Sequence, residues 1–168
     1  MSPRAAWRLE SLGFRDVHVY AAGKADWGAM GLPLEGALAD RPTIGALART
    51  DVPTCALTDR VRDLREWSGE WDTCLVVNEA RVVLGRILTS ELSANGDARA
   101  EEVMRPGPST FRPNVSVAQM LEYMREHDLR SAPVTRGDGT LVGLVLRSEL
   151  EAAEVTARAS REKDMRVD

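Results

Sequence analysis

The chain has 168 residues, of which 43% are hydrophobic and 29% are charged, a composition typical of a globular protein with one core or two small ones. Its formal net charge of −4 argues against a nucleic-acid-binding surface, which needs clustered basic residues. No apolar run approaches the roughly 18 residues of a membrane-spanning helix and no signal peptide is visible, so we expect a cytoplasmic protein without a membrane partner.

Residues 1–36 differ in pattern from the rest of the chain. A helix is predicted around Ala5–Leu12, a short strand at Val17–Tyr20 and a brief helix from Asp26. The run LGFRDVHVYAAGKADWGAMGLPLEG resembles the final helix, strand and helix of a rhodanese domain. The catalytic cysteine of that family precedes the first of these helices, whereas the first cysteine here is Cys55. The resemblance therefore implies a packing remnant without sulfur-transfer activity.

A helix and then a first structural unit are predicted after this segment. Thr43 is a candidate N-cap, and Ile44, Leu47 and Ala48 share one face of the helix that follows. From Val52 onward the pattern is a short strand, a helix, two apolar strands and a closing helix.

The stretch Ser109–Leu150 is a second, complete unit with the order strand, helix, strand, turn, strand, helix. Ser116 and Gln119 form a capping box at the start of the central helix. The predicted core face of that helix consists of Val117, Met120, Leu121 and Met124. The turn at residues 137–139, Gly-Asp-Gly, permits positive φ and connects the last two strands.

The two units are copies of one pattern. Val52–Cys55 matches Pro108–Phe111 at an offset of 56 residues, and Gly85 matches Gly143 at an offset of 58. The two-residue difference falls between the helix and the next strand, where a loop tolerates a change of length. This internal repeat predicts two similar structural units in tandem.

Two tandem copies of this pattern resemble a CBS-domain pair, the module named after cystathionine β-synthase. The resemblance rests on the SAPVT strand, the LVGLVLRSEL segment and the upstream VVLGRILTSEL segment. It covers roughly residues 41–154 and implies an α+β fold in which two βαββα repeats pack pseudo-symmetrically through their sheets. The predicted division is a helix-strand-helix segment at 1–36, repeat 1 at 37–98, repeat 2 at 99–156 and a charged, flexible tail at 157–168.

In the CBS family, adenosine nucleotides bind in clefts between the repeats, where a Gly-h-h-Thr/Ser-x-x-Asp signature holds ribose and phosphate. In this chain the hydroxyl position is Leu88 in one copy and Leu146 in the other, and the acidic position is a glutamate in both. The leucines remove a hydrogen bond worth about 0.5–1.5 kcal/mol. The resemblance gives nine candidate ligand-binding residues: Thr54, Cys74, Glu91, Thr110, Arg130, Ser131, Pro133, Arg147 and Glu149.

These candidates also have structural alternatives. Glu91 and Glu149 lie in the first turn of a helix, where an acidic residue stabilises the helix dipole. Three arginines have two possible roles: Arg86, Arg130 and Arg147 either bind phosphate through their planar donors or are solvated surface residues. Because Pro133 fits the base-contacting strand of the family and the first copy has Leu75 there, the cleft that uses the second copy's strand is the better candidate.

The tryptophans and cysteines are predicted to be mainly structural. Trp67 shares a helical face with Val61 and is expected in the core, and Trp71 is expected at a loop or an interface. Cys55 and Cys74 each lie inside an apolar strand, which favours buried, reduced thiols over a disulfide. Neither histidine lies near a nucleophile at a familiar spacing, and no cysteine–histidine cluster forms a metal site.

The sequence therefore predicts a non-enzymatic regulatory or sensor module that requires no cofactor. A small ligand is expected to bridge the repeats, with AMP, ATP and S-adenosylmethionine as the candidates and an adenosine nucleotide first. The alternative is a purely structural interaction module whose clefts are filled by its own side chains or by a partner. The resemblance also implies a homodimer, and an unidentified client protein is open.

Overall fold

The computed structural model describes residues 3–36, 41–64, 71–93 and 96–164. The helices are α1 (Pro3–Ser11), α2 (Gly23–Ala29), α3 (Ile44–Leu47), α4 (Val61–Leu64), α5 (Ala100–Val103), α6 (Val117–Glu126) and α7 (Arg147–Asp164), and a short 3₁₀ helix covers Thr89–Ser93. The strands are β1 (Thr54–Cys55), β2 (Thr73–Val77), β3 (Val83–Leu88), β4 (Arg105–Pro106), β5 (Ser131–Thr135) and β6 (Leu141–Leu146).

The strands form two sheets with the same plan. The first sheet has the order β1-β2-β3-β4, with β1 parallel to β2 and the other neighbours antiparallel. The second sheet is the antiparallel pair β5-β6. Single bridges extend it on both sides, because Phe111 pairs in parallel with Val134 and Arg49 pairs antiparallel with Leu144. Phe111 therefore takes the place of β1 and Arg49 the place of β4, and the predicted α+β fold of two similar units is confirmed.

The helix that leads into each repeat packs on the other repeat. α3 is the leading helix of repeat 1, yet it places Ile44 in the core of repeat 2 beside Val117 and Leu150. The Ile44 N–H donates to the carbonyl of Val115 at 2.9 Å, which fixes this position. α5 is the leading helix of repeat 2, yet its Ala100 lies in the core of repeat 1. This exchange of leading helices joins the two repeats into one folded unit.

The predicted details of repeat 2 are present. The Ser116 hydroxyl accepts from the Gln119 N–H at 3.3 Å at the start of α6. The four predicted core residues of α6 are at most 2% exposed. In the turn before β6, Gly139 has a φ of +87°, and the Asp138 carboxylate accepts from the Thr140 N–H at 2.9 Å.

The structure differs from the predictions at several local positions. Residues 17–20 do not form a strand: Val19 and Tyr20 are 45% and 38% exposed, and no β-bridge joins this segment to another in the described chain. Thr43 precedes α3 without a side-chain cap hydrogen bond. α7 continues to Asp164, past the start of the predicted flexible tail. Trp67, predicted in the core, lies outside the described residues.

No described helix is both long and apolar enough to cross a lipid bilayer. Within the same residues, no group of three or more His, Cys, Asp or Glu side chains is arranged to hold a metal ion.

Candidate functional site

The two repeats enclose a cleft of about 750 Å³. This volume lies within the range of small-molecule sites, which is about 300–1,000 Å³. β3 and the 3₁₀ helix form one side of the cleft, and β5 with the end of α6 forms the other. The sheet of repeat 1, including β4, and the 3₁₀ helix contribute Asp72, Arg86, Leu88, Thr89, Ser90 and Arg105. The rest of the lining comes from repeat 2: Pro108, Ser109, Phe111, Tyr123 and residues 127–133.

Arg86 joins the two repeats inside this cleft. Its Nε donates to Thr73 Oγ1 at 3.1 Å, and its Nη2 donates to Ser131 Oγ at 3.0 Å. Both hydroxyl-bearing residues are buried. Burial lowers the pKa of the Arg86 guanidinium, and the nearby Asp72 carboxylate offsets part of this shift. Because arginine stays cationic in proteins, Arg86 presents a partly buried positive charge to the cleft.

Asp72 lies close to Arg86 and carries a buried acceptor. Its Oδ1 is shielded from solvent and has no hydrogen-bond partner among the described residues. Its backbone carbonyl accepts from the Thr89 N–H at 3.0 Å, which connects β2 to the 3₁₀ helix. A buried acceptor without a partner costs about 1–3 kcal/mol, so a donor that reached this oxygen would stabilise the site.

Two more arginines stand at the edge of the cleft. Arg105 on β4 and Arg130 before β5 are both exposed. The Arg105 Nε donates to the carboxylate of Glu91, and the same carboxylate accepts from the Leu88 N–H at 2.8 Å. Glu91 therefore already has a backbone donor and a cation as partners.

An aromatic wall borders the cleft at the end of α6. The Phe111 and Tyr123 rings meet edge to face, with centroids 5.0 Å apart, and Tyr123 stacks on His127 with centroids 4.0 Å apart. Leu88 and Pro133 add apolar surface to the same cleft. Aromatic and aliphatic surfaces of this kind accept the face of a purine base. The sequence had favoured a packing role for Tyr123.

The cleft brings together three of the nine predicted ligand-binding residues, namely Arg130, Ser131 and Pro133. Arg147 lies next to them: its N–H donates to the Arg130 carbonyl at 2.9 Å, and its Nη1 lies 3.3 Å from Asp128 Oδ1. Arg147 therefore holds the loop before β5 and does not line the cleft.

The other predicted residues lie outside the lining of this cleft. Thr54 is exposed on β1, and Thr110 is half-buried. Glu149 pairs with Arg49, with 3.8 Å between Oε1 and Nη1. Cys74 is fully buried, because it belongs to the apolar core cluster of repeat 1.

Both cysteines are buried as free thiols, which confirms their predicted state. Cys55 is 4% exposed and Cys74 is 0% exposed. A hydrogen bond between the two side chains lowers the pKa of Cys55 and raises the pKa of Cys74, and burial raises the pKa of Cys74 further. Cys74 is therefore a poor nucleophile at neutral pH.

Sequence reasoning did not include Asp72, Arg105 or Phe111 among the site residues. The repeat offered a signal for one of them, because Asp72 aligns with the predicted Arg130. The sequence does not show which sheet each leading helix packs on. This packing places Arg105 at the cleft.

Some positions correspond, through the internal repeat, to residues that line this cleft. The residues at these positions pack against one another. Trp71 is 8% exposed and forms one apolar cluster with Val52, Leu75, Leu141 and Leu144. Trp71 thus lies at the interface between the repeats, one of the two positions predicted for it.

Comparison with known proteins identifies a CBS domain in the second half of the chain. Residues 100–155, about a third of the chain, match the family model described as "CBS domain". Residues 1–36 lie outside this match, and the comparisons give no support to their resemblance to a rhodanese domain.

Solved structures with the same fold include CBS domains, a CBS-pair protein and the cytosolic domain of a Mg²⁺ channel. The CBS domains of a transcriptional regulator from Streptococcus pneumoniae are 22% identical, with 66% of this chain and 97% of that chain covered and a TM-score of 0.60. CBSX2 from Arabidopsis thaliana, in complex with AMP, is 18% identical, with 70% and 98% covered and a TM-score of 0.62. The cytosolic domain of the Mg²⁺ channel MgtE, in complex with ATP, is 20% identical with a TM-score of 0.62; 70% of this chain is covered but only 51% of that domain. At these identities the likeness establishes the fold.

Proposed function

We propose that this protein is a non-enzymatic regulatory module that binds an adenosine nucleotide, such as AMP or ATP, in the cleft between its repeats. The observation that carries the proposal is Arg86, a partly buried cation that lines the cleft and bonds to both repeats. A ligand that contacts Arg86 acts directly on the junction between the repeats.

The charge of the cleft favours an anionic ligand. Three arginines line it, Arg86, Arg105 and Arg130, against two carboxylates, Asp72 and Asp128. Arginine offers planar paired donors that match phosphate oxygens. The sulfonium of S-adenosylmethionine carries the opposite charge, so this ligand ranks below AMP and ATP. The likeness of the fold to an AMP complex and an ATP complex supports the same order.

The remaining surface provides for the base and the sugar. The aromatic wall of Phe111 and Tyr123 and the apolar Leu88 and Pro133 suit the face of a purine. Leu88 supplies no hydroxyl, but the next residue, Thr89, also lines the cleft and offers one. We expect this side of the cleft to contact the ribose.

Regulation follows from the position of Arg86 between the repeats. A phosphate bound to this guanidinium competes with, or reorganises, the hydrogen bond to Ser131. Ligand binding then changes the free energy of the contact between the two repeats. A ligand shifts a conformational equilibrium only through its different affinities for the two states, and this contact provides such a difference.

Isothermal titration calorimetry with AMP, ATP and S-adenosylmethionine tests the proposal. We expect saturable heat with AMP or ATP, weaker or no heat with S-adenosylmethionine, and at least a tenfold loss of nucleotide affinity in Arg86→Gln. Arg62→Gln is the matched control, because Arg62 is exposed, pairs with Asp97 and lies outside the cleft. Absence of heat and of any melting shift with all three ligands would instead support a purely structural module.

We also propose that the chain forms a homodimer, as its CBS-pair architecture suggests. Val155 on α7 is 68% exposed and provides apolar surface for such a contact. Multi-angle light scattering should give twice the monomer mass, and Val155→Glu should reduce that mass. A monomer at every concentration would contradict this proposal.

A further inference from the structure

We propose that Trp71 closes the second, pseudo-symmetric cleft of the module, so that each chain binds one nucleotide and not two. This inference rests on the proposed function of the open cleft and adds its stoichiometry. It concerns the positions that correspond, through the internal repeat, to the lining of the open cleft.

The corresponding positions differ in size and chemistry. Trp71 stands where repeat 2 has Leu129, and Leu144 stands where repeat 1 has Arg86. The second cleft therefore gains an indole and loses the cation that anchors the first.

The described residues at these positions pack against one another. The cluster that contains Trp71 also contains the fully buried Leu75 and Leu144, with Leu146 packed against it. Leu75 corresponds to Pro133 of the open cleft, and Leu146 corresponds to Leu88. The counterparts of residues that line an open cleft on one side are thus part of a packed apolar interface on the other.

Arg49 holds Trp71 in this position. Its guanidinium carbon lies 4.4 Å from the centroid of the Trp71 ring, a cation–π contact. Its Nε donates to Asp51 Oδ1 at 3.0 Å, and its backbone exchanges two 2.9 Å hydrogen bonds with Leu144. The side chain of Arg49 is 26% exposed, whereas that of its counterpart Arg105 is 65% exposed. One arginine of the pair is therefore fixed over the tryptophan, and the other stands at the edge of the open cleft.

The closed side lacks the cation that joins the hydroxyl groups of the two repeats in the open cleft. Thr73 and Ser131 occupy corresponding positions in β2 and β5. Both of them bond to Arg86, so one cation engages the hydroxyls of both repeats. The closed side has Leu144 at that place, and an apolar side chain cannot bind phosphate.

Calorimetric stoichiometry with AMP tests the inference, using the wild-type chain and three variants. The wild type should bind one AMP per chain, and Arg86→Gln should lose that binding. The double variant Trp71→Leu/Leu144→Arg gives the second cleft the residues of the first and should raise the stoichiometry toward two. Trp71→Leu alone should keep one site, because the cation is still missing, and circular dichroism checks that each variant folds.

The outcomes separate the inference about the second cleft from the proposed binding of a nucleotide. Two AMP per wild-type chain overturns the inference and leaves nucleotide binding between the repeats intact. Full affinity in Arg86→Gln overturns the inference and also contradicts the role that the proposed function gives to Arg86. A folded double variant that still binds one AMP overturns the assignment of closure to Trp71. If the double variant does not fold, the wild-type and Arg86→Gln stoichiometries still decide. No binding to the wild type overturns both the inference and the proposed function.

Discussion

Arg86 crosses the boundary between the repeats and donates to Ser131 Oγ at 3.0 Å, while its other bond reaches Thr73 in its own repeat. The two hydroxyls are equivalent through the internal repeat, yet they share one guanidinium. The module is therefore symmetric in its fold and asymmetric in its polar contacts.

This junction predicts a measurable cost for its removal. Arg86→Gln should lower the free energy of unfolding by about 1.5–3 kcal/mol, because hydrogen bonds to a charged donor are lost and two buried hydroxyls lose a partner. Urea unfolding measures the change. Arg62→Gln, at an exposed position, should stay within about 0.5 kcal/mol of the wild type, and an equal loss in both variants would contradict the special role of Arg86.

The two pseudo-symmetric glycines give a second, internally controlled prediction. A β-carbon at Gly143 would overlap the backbone carbonyl of Arg49, whereas one at Gly85 would overlap the flexible side chain of Met104. Gly143→Ala should therefore destabilise the protein by about 1–3 kcal/mol, and Gly85→Ala should cost less because Met104 can move. Paired urea unfolding curves test the order, and a larger loss for Gly85→Ala would contradict the described packing of Arg49 on β6.

The thiols should be unreactive until the protein unfolds. Cys55 and Cys74 are buried, and the pKa of Cys74 is raised by its hydrogen bond to Cys55 and by burial. Ellman's reagent should modify neither thiol of the native protein on a timescale of minutes and both in urea. Rapid modification of two thiols in the native state would show that the core of repeat 1 is open.

The contact that supports Trp71 should weaken in acid. The hydrogen bond from Arg49 lowers the pKa of Asp51 below its ordinary value. A lowered folded-state pKa adds stability above the unfolded pKa of about 3.9, and this stability is lost as the pH falls through the folded value. Between pH 5 and pH 3 the melting temperature of the wild type should fall more than that of Asp51→Asn. Parallel curves for the two proteins would rule out this contribution.

Local features of repeat 2 were readable from the sequence because each depends on a few neighbouring residues. The core face of α6 follows from helical spacing, and the Gly-Asp-Gly turn follows from the need for positive φ at Gly139. The internal repeat then extended this plan to repeat 1. These predictions needed no knowledge of long-range packing.

The exchange of leading helices could not be predicted from the sequence. This exchange determines which residues line the cleft. The segments before the two repeats look alike, so nothing local tells which sheet each one joins. Only the fold shows that Arg49 pairs with β6 and Arg105 with β3. Cys74 was placed among the ligand residues by its position in the repeat, and its burial in the core depends on packing. The alignment of the two repeats places Trp71 at the position of Leu129. Only the fold shows which residues surround the Trp71 side chain.

A crystal structure of the protein grown with AMP tests the central claim most directly. We predict density for one nucleotide in the cleft between the repeats, with its phosphate within hydrogen-bond distance of Arg86 and its base against the wall formed by Phe111 and Tyr123. An empty cleft at saturating AMP, or a nucleotide bound on the Trp71 side instead, would contradict the account.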